Sequence, residues 1–419
     1  MSMDPISGPQ LLFGFIFVYP LFMAYLWMAG GLFYWFHYER RAPRPDHPPA
    51  LPRYPKVGLI VPCFNEQDNV FETVSTLLLQ EYPDFEVIAV NDGSRDDTGA
   101  ILDAMLPLHP RLRVIHQATN QGKAVALNTA ACMTDAEFLI CIDGDALLDR
   151  HAATWMLWHM LTSPRVGAVT GNPRVRNRST LLGKIQVGEF SSIIGLIKRA
   201  QRTYGRLFTV SGVVGAFRKA ALHQVGYWSK EMMCEDIDIS WKLQLNQWDV
   251  RLEPAALCWI LMPETIGGLW RQRLRWAVGG MQVMFKFLPL ICHWRMRRMW
   301  PVYGEYLVSV LWAYCFMASI LLWAAGLAID LPTGWRIASL VPAWPGMVIA
   351  SSSLLQVAVG MFLDHRYDLR FGRQFFWVIW YPIAFWLVTF LTAVVAVPKA
   401  AARSRGARAL WTSPDRGLR

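Results

Sequence analysis

The chain has 419 residues, of which 54% are apolar and 13% aromatic, and its formal net charge is +10. This hydrophobicity excludes a simple soluble domain, and 20 tryptophans fit the aromatic belts of a protein at the lipid–water boundary. Nucleic acid is not the partner implied by the charge, because Lys and Arg gather beside the apolar stretches and form no basic stripe with exposed aromatics.

Residues 11 to 36 carry no charge over 26 positions, and they lack the basic start and small-residue cleavage site of a secretory signal. Glu39, Arg40, Arg41, Arg44, Arg53 and Lys56 follow, whereas only Asp4 is charged upstream. Residues 1–40 therefore read as an N-terminal transmembrane helix, with residue 40 onward in the cytosol by the positive-inside rule. The proline-rich stretch 41–55 cannot continue a helix and reads as a linker. Seven scattered cysteines without a CxxC pair fit a reducing compartment, with neither a disulfide framework nor a zinc site.

A different period begins at residue 56. Apolar runs at Val57 to Val61, Glu86 to Val90, Leu112 to Ile115 and Phe138 to Ile142 recur every 26 to 29 residues, near the length of a βαβ unit. Helical patterns fill 67 to 80, 95 to 106 and 122 to 133. The alternation predicts an α/β domain over 56–265, a parallel sheet covered by helices, with ligands at the carboxyl ends of its strands. An amphipathic region spans 266–300. Apolar segments near 303 to 329, 337 to 363 and 375 to 397, about three membrane segments within 301–398, precede a basic tail, 399–419. Three crossings from the cytosol would leave that tail outside, against the charge rule, unless one segment is re-entrant.

The polar residues at the strand ends carry the chemistry. Asp143 and Asp145 stand two apart in Asp143-Gly144-Asp145, so both face one side and offer hard oxygens to Mg²⁺ or Mn²⁺ on a diphosphate; the same tripeptide also makes ordinary turns. Asn65 and Glu66 follow the first strand. Asp92 in Asn91-Asp92-Gly93-Ser94 can accept hydrogen bonds from a base or belong to a helix N-cap with Ser94 and Asp96. Lys123 opens a predicted helix, where it meets either a phosphate or solvent. Glu235 and Asp236 also begin a helix, which acidic residues favour in any case; as a catalytic pair they would supply a general base to an acceptor hydroxyl. Gln272, Arg275 and Trp276, at i, i+3 and i+4, share one helix face, for a diphosphate and a sugar ring or for an interfacial helix with snorkelling arginines. Arg174, Arg176 and Arg178 alternate as for phosphate or headgroups, and Lys198, Arg199 and Arg202 on an amphipathic stretch have the charge to meet anionic lipid.

In this order the elements resemble a processive membrane glycosyltransferase of family 2, the group of cellulose, chitin and hyaluronan synthases. The resemblance runs along nearly the whole chain and rests on Pro62-Cys63-Phe64-Asn65-Glu66, Cys141-Ile142-Asp143-Gly144-Asp145-Ala146, Glu235-Asp236-Ile237-Asp238-Ile239-Ser240-Trp241-Lys242, the Gln-x-x-Arg-Trp element and Trp411-Thr412-Ser413-Pro414-Asp415-Arg416-Gly417. It implies a GT-A (Rossmann-like) cytosolic domain inserted between transmembrane helices in a bacterial inner membrane. The implied reaction transfers N-acetylglucosamine from UDP-N-acetylglucosamine to the non-reducing end of an exported polymer, with Mg²⁺ or Mn²⁺. Carried over by motif, Asn65, Glu66 and Asp92 hold the uridine, Lys123 and Asp143 the donor, and Asp145 the metal with Asp143. Asp236, beside Glu235, is the base, and Gln272, Arg275 and Trp276 close over the diphosphate and acceptor. A small two-span membrane subunit and cyclic di-GMP are the implied partners, alongside polysaccharide acceptor and lipid. Cys234 departs from the family's usual threonine before the Glu-Asp pair. Two other classes share part of these features: a polyprenyl-phosphate enzyme making a single transfer, and a receptor or transporter with a degenerate nucleotide domain.

Overall fold

The computed structural model describes residues 7–332, 334–337, 344–368, 375–378, 381–403 and 406–410, the side chains of 375 and 381–386 excepted. The uncharged N-terminal run forms α1 (Gly8–Tyr34), which widens into a π-helical turn over Trp35–Glu39. The next apolar runs and helical patterns become β1 (Val57–Cys63), α2 (Val70–Leu78), β2 (Phe85–Asp92), α3 (Thr98–Met105), β3 (Leu112–Gln117), α4 (Lys123–Cys132) and β4 (Phe138–Ile142). Near-continuous apolar strands suit a sheet covered on both faces, because successive side chains point to opposite sides. In β4, Phe138, Ile140 and Ile142 enter one buried cluster while Leu139 and Cys141 enter the other.

The chain continues through β5 (Leu147–Leu148), α5 (Ala152–Thr162), β6 (Val166–Val175), α6 (Leu181–Glu189), α7 (Leu196–Tyr204), β7 (Val214–Arg218), α8 (Lys219–Val225), α9 (Glu235–Leu245) and β8 (Asp249–Ile260). The eight-stranded sheet has the order β3-β2-β1-β4-β7-β6-β8-β5. Its β3-β2-β1-β4 half is parallel, as the alternation predicts, but β7 pairs antiparallel with both β4 and β6. The departure has a simple cause. After Val175 the chain leaves the sheet to run as α6 and α7 against the apolar N- and C-terminal helices, then returns at the end it left, so β7 must run backward. The order reverses about β1, whose neighbours are β2 and β4, and the crevice at such a switch point faces the strands' carboxyl ends.

Beyond the sheet lie α10 (Ile266–Ile291), α11 (Trp300–Ala325), α12 (Trp344–Asp364), α13 (Phe375–Val378) and α14 (Tyr381–Ala402). Gly8–Glu39, Trp294–Ala325 and Trp344–Asp364 are long and apolar enough to cross a membrane. The third C-terminal segment of the sequence reading falls on α13 and α14, and its residues 379 and 380 lie outside the described residues, as does the motif at 411 to 417. Tail residue Ala409 donates its backbone N–H to the Lys230 carbonyl at 3.0 Å, so this part of the tail sits on the α/β domain.

An ionic cluster joins the domain to its helices. Arg199 of α7 pairs with Glu39 at the end of α1 (2.6 Å) and with Asp364 at the end of α12 (2.9 Å), and Arg174 of β6 reaches the same Asp364 (2.5 Å). All four side chains are at most 4% exposed. These contacts replace two of the sequence readings. Arg174 and Arg178 bind Asp364 and Asp368, Arg176 binds Glu72, and none lines the central cavity; Arg199 meets carboxylates, and so does Arg202 at Asp249. Strand alternation places Arg174 inward, where only a fixed carboxylate offsets the desolvation.

Removing one member of such a buried pair strands its partner and costs about 3 to 5 kcal/mol, whereas exposed pairs are worth about 1 kcal/mol or less. Arg199→Ala is therefore expected to lower the melting temperature of the detergent-purified protein sharply, and Arg176→Ala to leave it nearly unchanged; equal shifts would disprove the clasp.

Candidate active site

The site is assembled by a lysine at a helix start. Asp92, at the end of β2, is fully buried and accepts the backbone N–H groups of Gln121 and Gly122, each at 2.8 Å. Gly93 (φ +66°) makes room for this loop, since a Cβ there would lie 2.5 Å from the Thr119 carbonyl carbon. Gly122 (φ +92°) then turns the chain into α4, and Lys123 points across the crevice. Its Nζ lies 2.6 Å from Asp143 Oδ1 and 3.0 Å from Glu235 Oε1, and donates to the Gly212 carbonyl at 3.0 Å. Burial works against the charge, but the Asp143 and Glu235 carboxylates prevail and hold Lys123 protonated, above the usual lysine range.

Lys123, Asp143, Asp145, Glu235, Asp236, Gln272, Arg275 and Trp276 all line one cavity of about 750 Å³. Asp236 begins α9, accepts the Gly212 N–H at 3.0 Å and is pushed up to about 6 by burial and by Glu235 beside it. Burial and the neighbouring Asp143 push Asp145 to about 7. Added positive charge beside Asp145 would favour its ionised form. The donor set fits a divalent cation, because Mg²⁺ and Mn²⁺ take hard oxygens and are commonly held by one or two carboxylates plus substrate phosphates. Among the described residues no group of three His, Cys, Asp or Glu side chains forms a cage, so phosphate oxygens and water would complete the shell.

Asn65, Glu66 and Asp92 stand outside that lining. Asn65 (φ +55°) accepts the Arg95 N–H at 2.9 Å, and the Glu66 N–H donates to Thr98 Oγ1 at 2.7 Å. Glu66 is buried against Gly144, where a Cβ would sit 3.1 Å from its Cγ, so the glycine between the two aspartates lets the β1 and β4 ends meet. Asp92 thus positions Lys123 through the loop before it, while Asp96, and not Asp92, accepts the Thr98 N–H at 3.1 Å as α3 begins.

On α10, Arg273 carries a role that periodicity missed. Its guanidinium carbon lies 4.3 Å from the Trp276 ring centroid, and it pairs with buried Glu189 at 2.7 Å and donates to Gln272 Oε1 at 2.6 Å. Arg273 therefore braces both Trp276 and Gln272, which leaves Arg275 facing the cavity with no ion pair among the described residues. Glu305 is a second such residue. It accepts Trp27 Nε1–H at 3.1 Å and Gln201 Nε2–H at 3.2 Å on the cavity wall, and a lone carboxylate in an apolar segment was its available signal. Lys198 donates to Ser211 Oγ at 2.6 Å in the same cavity, and burial pushes it down to about 7 despite Asp236.

Cys234 takes the N-cap position of α9 without capping it. Its thiol donates to the Arg275 carbonyl at 3.7 Å, and it packs where a Cβ on Gly279 would stand 2.4 Å from Sγ. The departure from threonine thus joins the Glu235-Asp236 turn to the helix carrying Arg275 and Trp276.

The family model described as Glycosyltransferase like family 2 matches residues 54–279. The chain belongs to this family. A poly-beta-1,6-N-acetyl-D-glucosamine synthase of Staphylococcus epidermidis is 36% identical over 414 residues, covering 97% of this chain and 98% of the relative. Its namesake in Staphylococcus aureus (strain MSSA476) is 36% identical over 406 residues, with the same coverage of each chain. The solved mannosyltransferase of Pyrobaculum calidifontis, in complex with GDP-Man and Mn²⁺, has a TM-score of 0.62 at 21% identity, covering 92% of this chain and 98% of that one; the likeness shows a shared GT-A fold.

Gly279→Ala is expected to push α10 away from Cys234 and cut turnover at least tenfold while the protein stays folded in detergent; unchanged turnover would show that this contact does not hold Arg275 and Trp276 in place.

Proposed function

We infer that this protein is a processive membrane synthase that transfers N-acetylglucosamine from UDP-N-acetylglucosamine to the non-reducing end of a poly-β-1,6-N-acetylglucosamine chain and exports the chain through its own helices. One observation carries the reading. The cavity that begins at Asp143, Asp145 and Asp236 continues to Tyr19 and Trp27 of α1 and to Glu305 and Trp312 of α11, so reaction site and membrane helices share one space. Aromatic faces and scattered hydrogen-bonding groups are what a sugar chain needs there. The identically named relatives, matched over 97% of the chain, support the sugar and the linkage.

Asn65, Glu66 and Asp92 lie at the ends of β1 and β2 for the nucleoside, and Arg275 lies beside Asp145 for the diphosphate. Asp143 and Asp145 would hold Mg²⁺ or Mn²⁺, which when bound offsets the diphosphate charge and eases its departure. Asp236 takes the proton of the acceptor hydroxyl. That oxygen bonds to the anomeric carbon from the face opposite the diphosphate, the carbon–phosphate-oxygen bond breaks, and the configuration inverts. Arg275 receives charge developing on the leaving group, and Trp276 offers its ring to the acceptor sugar. The α/β domain and basic tail face the cytosol of a bacterial inner membrane. A small two-span subunit and cyclic di-GMP are the partners to test first, since they rest on resemblance alone.

Membranes given UDP-N-acetylglucosamine should yield an alkali-stable β-1,6-linked polymer. Free sugar alone or a lipid-linked monosaccharide would reject the synthase reading. Asp145→Asn and Asp236→Asn should each lower turnover by at least about 10²-fold, the lower range of a positioned carboxylate's contribution, with membrane levels preserved. The base works deprotonated, so kcat/KM should fall on acidification below about pH 6, the value to which burial and Glu235 raise Asp236; a flat profile down to pH 5 would assign the base elsewhere. An unchanged yield on adding cyclic di-GMP, or on removing a co-purifying small subunit, would dismiss that partner.

A further inference from the structure

A second cavity, of about 530 Å³, shares no residue with the catalytic one and is lined by Arg165, Arg206, Arg251, Arg298, Asp249 and Tyr204 among others. Its charges do not balance. Asp249 is already held by Arg202 (3.0 Å) and Arg251 (2.8 Å), and among the described residues neither Arg165 nor Arg298 pairs with a carboxylate. Arg206 is only 8% exposed, and its Nη1 donates to the Trp248 carbonyl at 3.1 Å. Five guanidinium groups thus gather around one carboxylate. Burial, and then the like charges of Arg298, Arg202 and Arg165 against the help of Asp249, depress Arg206 below the ordinary arginine range. Concentrated positive charge in a walled pocket favours an anion with several acceptor oxygens, and planar guanidinium forks match phosphate.

The position of the cavity narrows the source of that phosphate. Pro301 on its rim belongs to the first turn of α11, where Trp300 is 41% exposed, and Trp294 in the preceding turn is 68% exposed. Tyr204, on the other wall, donates its hydroxyl to the Leu26 carbonyl of α1 at 2.6 Å. Exposed tryptophans beside arginines at the start of an apolar helix mark the headgroup level of a bilayer. Gly205 (φ +132°) has nothing within 4 Å of a would-be Cβ, so the rim is open there.

We propose that this arginine-lined cavity binds a phosphate group, presented by the headgroup of an anionic phospholipid. A free phosphate ion offers the same chemistry, and the two sources separate by experiment. The full-length protein in neutral detergent is titrated with short-chain dihexanoyl phosphatidylglycerol and, separately, with inorganic phosphate. Wild type, an Arg165→Gln/Arg298→Gln double variant and an Arg111→Gln control are compared by calorimetry. Both pocket positions are exposed, so folding should survive, and an unchanged melting temperature checks it. Saturable phosphatidylglycerol binding that weakens at least tenfold in the double variant and not in the control supports the headgroup. Phosphate binding with the same arginine dependence, without lipid binding, supports the phosphate site and overturns the lipid source. No binding of either probe, or binding that the double variant retains at wild-type affinity, overturns the proposal.

Discussion

Three carboxylates, Asp143, Glu235 and Asp236, surround one largely buried ammonium group, and the catalytic end of the domain depends on that arrangement. Carboxylates this close repel one another, and burial raises the energy of each ionised form. Lys123 offsets both effects while tying together three elements distant in the chain: the start of α4, the end of β4 and the start of α9. Its own position is set by Asp92, which fixes the loop before it through two backbone N–H groups. The crevice is therefore preorganised: Asp143 and Glu235 are held on Lys123, while Asp145 and Asp236, the groups proposed for metal and base, are the two carboxyls that burial and a carboxylate neighbour raise.

A second constraint acts at the membrane side. Glu39, Arg174, Arg199 and Asp364 meet without solvent, and each comes from a different element. Charges buried in this way tolerate little displacement, because an unpaired one keeps the desolvation cost without the attraction. The clasp thereby fixes the ends of α1 and α12 against the domain, and with them the cavity that runs from Asp236 to Trp27 and Glu305.

Much of the fold was legible because apolar periodicity is local. The first four strands begin within a residue of the runs at 57, 86, 112 and 138, and the intervening helices follow their predicted patterns. The antiparallel β7 was not legible, since its direction depends on where the α6–α7 excursion re-enters the sheet. Within the site, residue types were readable and partners were not. Gln272, Arg275 and Trp276 share the cavity, as i, i+3, i+4 spacing requires, but the brace on Trp276 is Arg273, whose counterion Glu189 lies 84 positions away. Arg174 and Arg178 have the alternation of a phosphate site, but Asp364 and Asp368, some 190 positions away, hold them.

The amino-acid sequence by itself determined the family, the apolar segments toward both ends that are long enough to cross a membrane and the chemical kinds of residue available, because motif, hydropathy and strand period are properties of neighbouring positions. Only the tertiary structure decided which charges face a substrate and which face one another. That choice depends on burial and on distances of a few ångströms between residues far apart in the chain, and Lys123, Asp92 and Arg199 took their partners there.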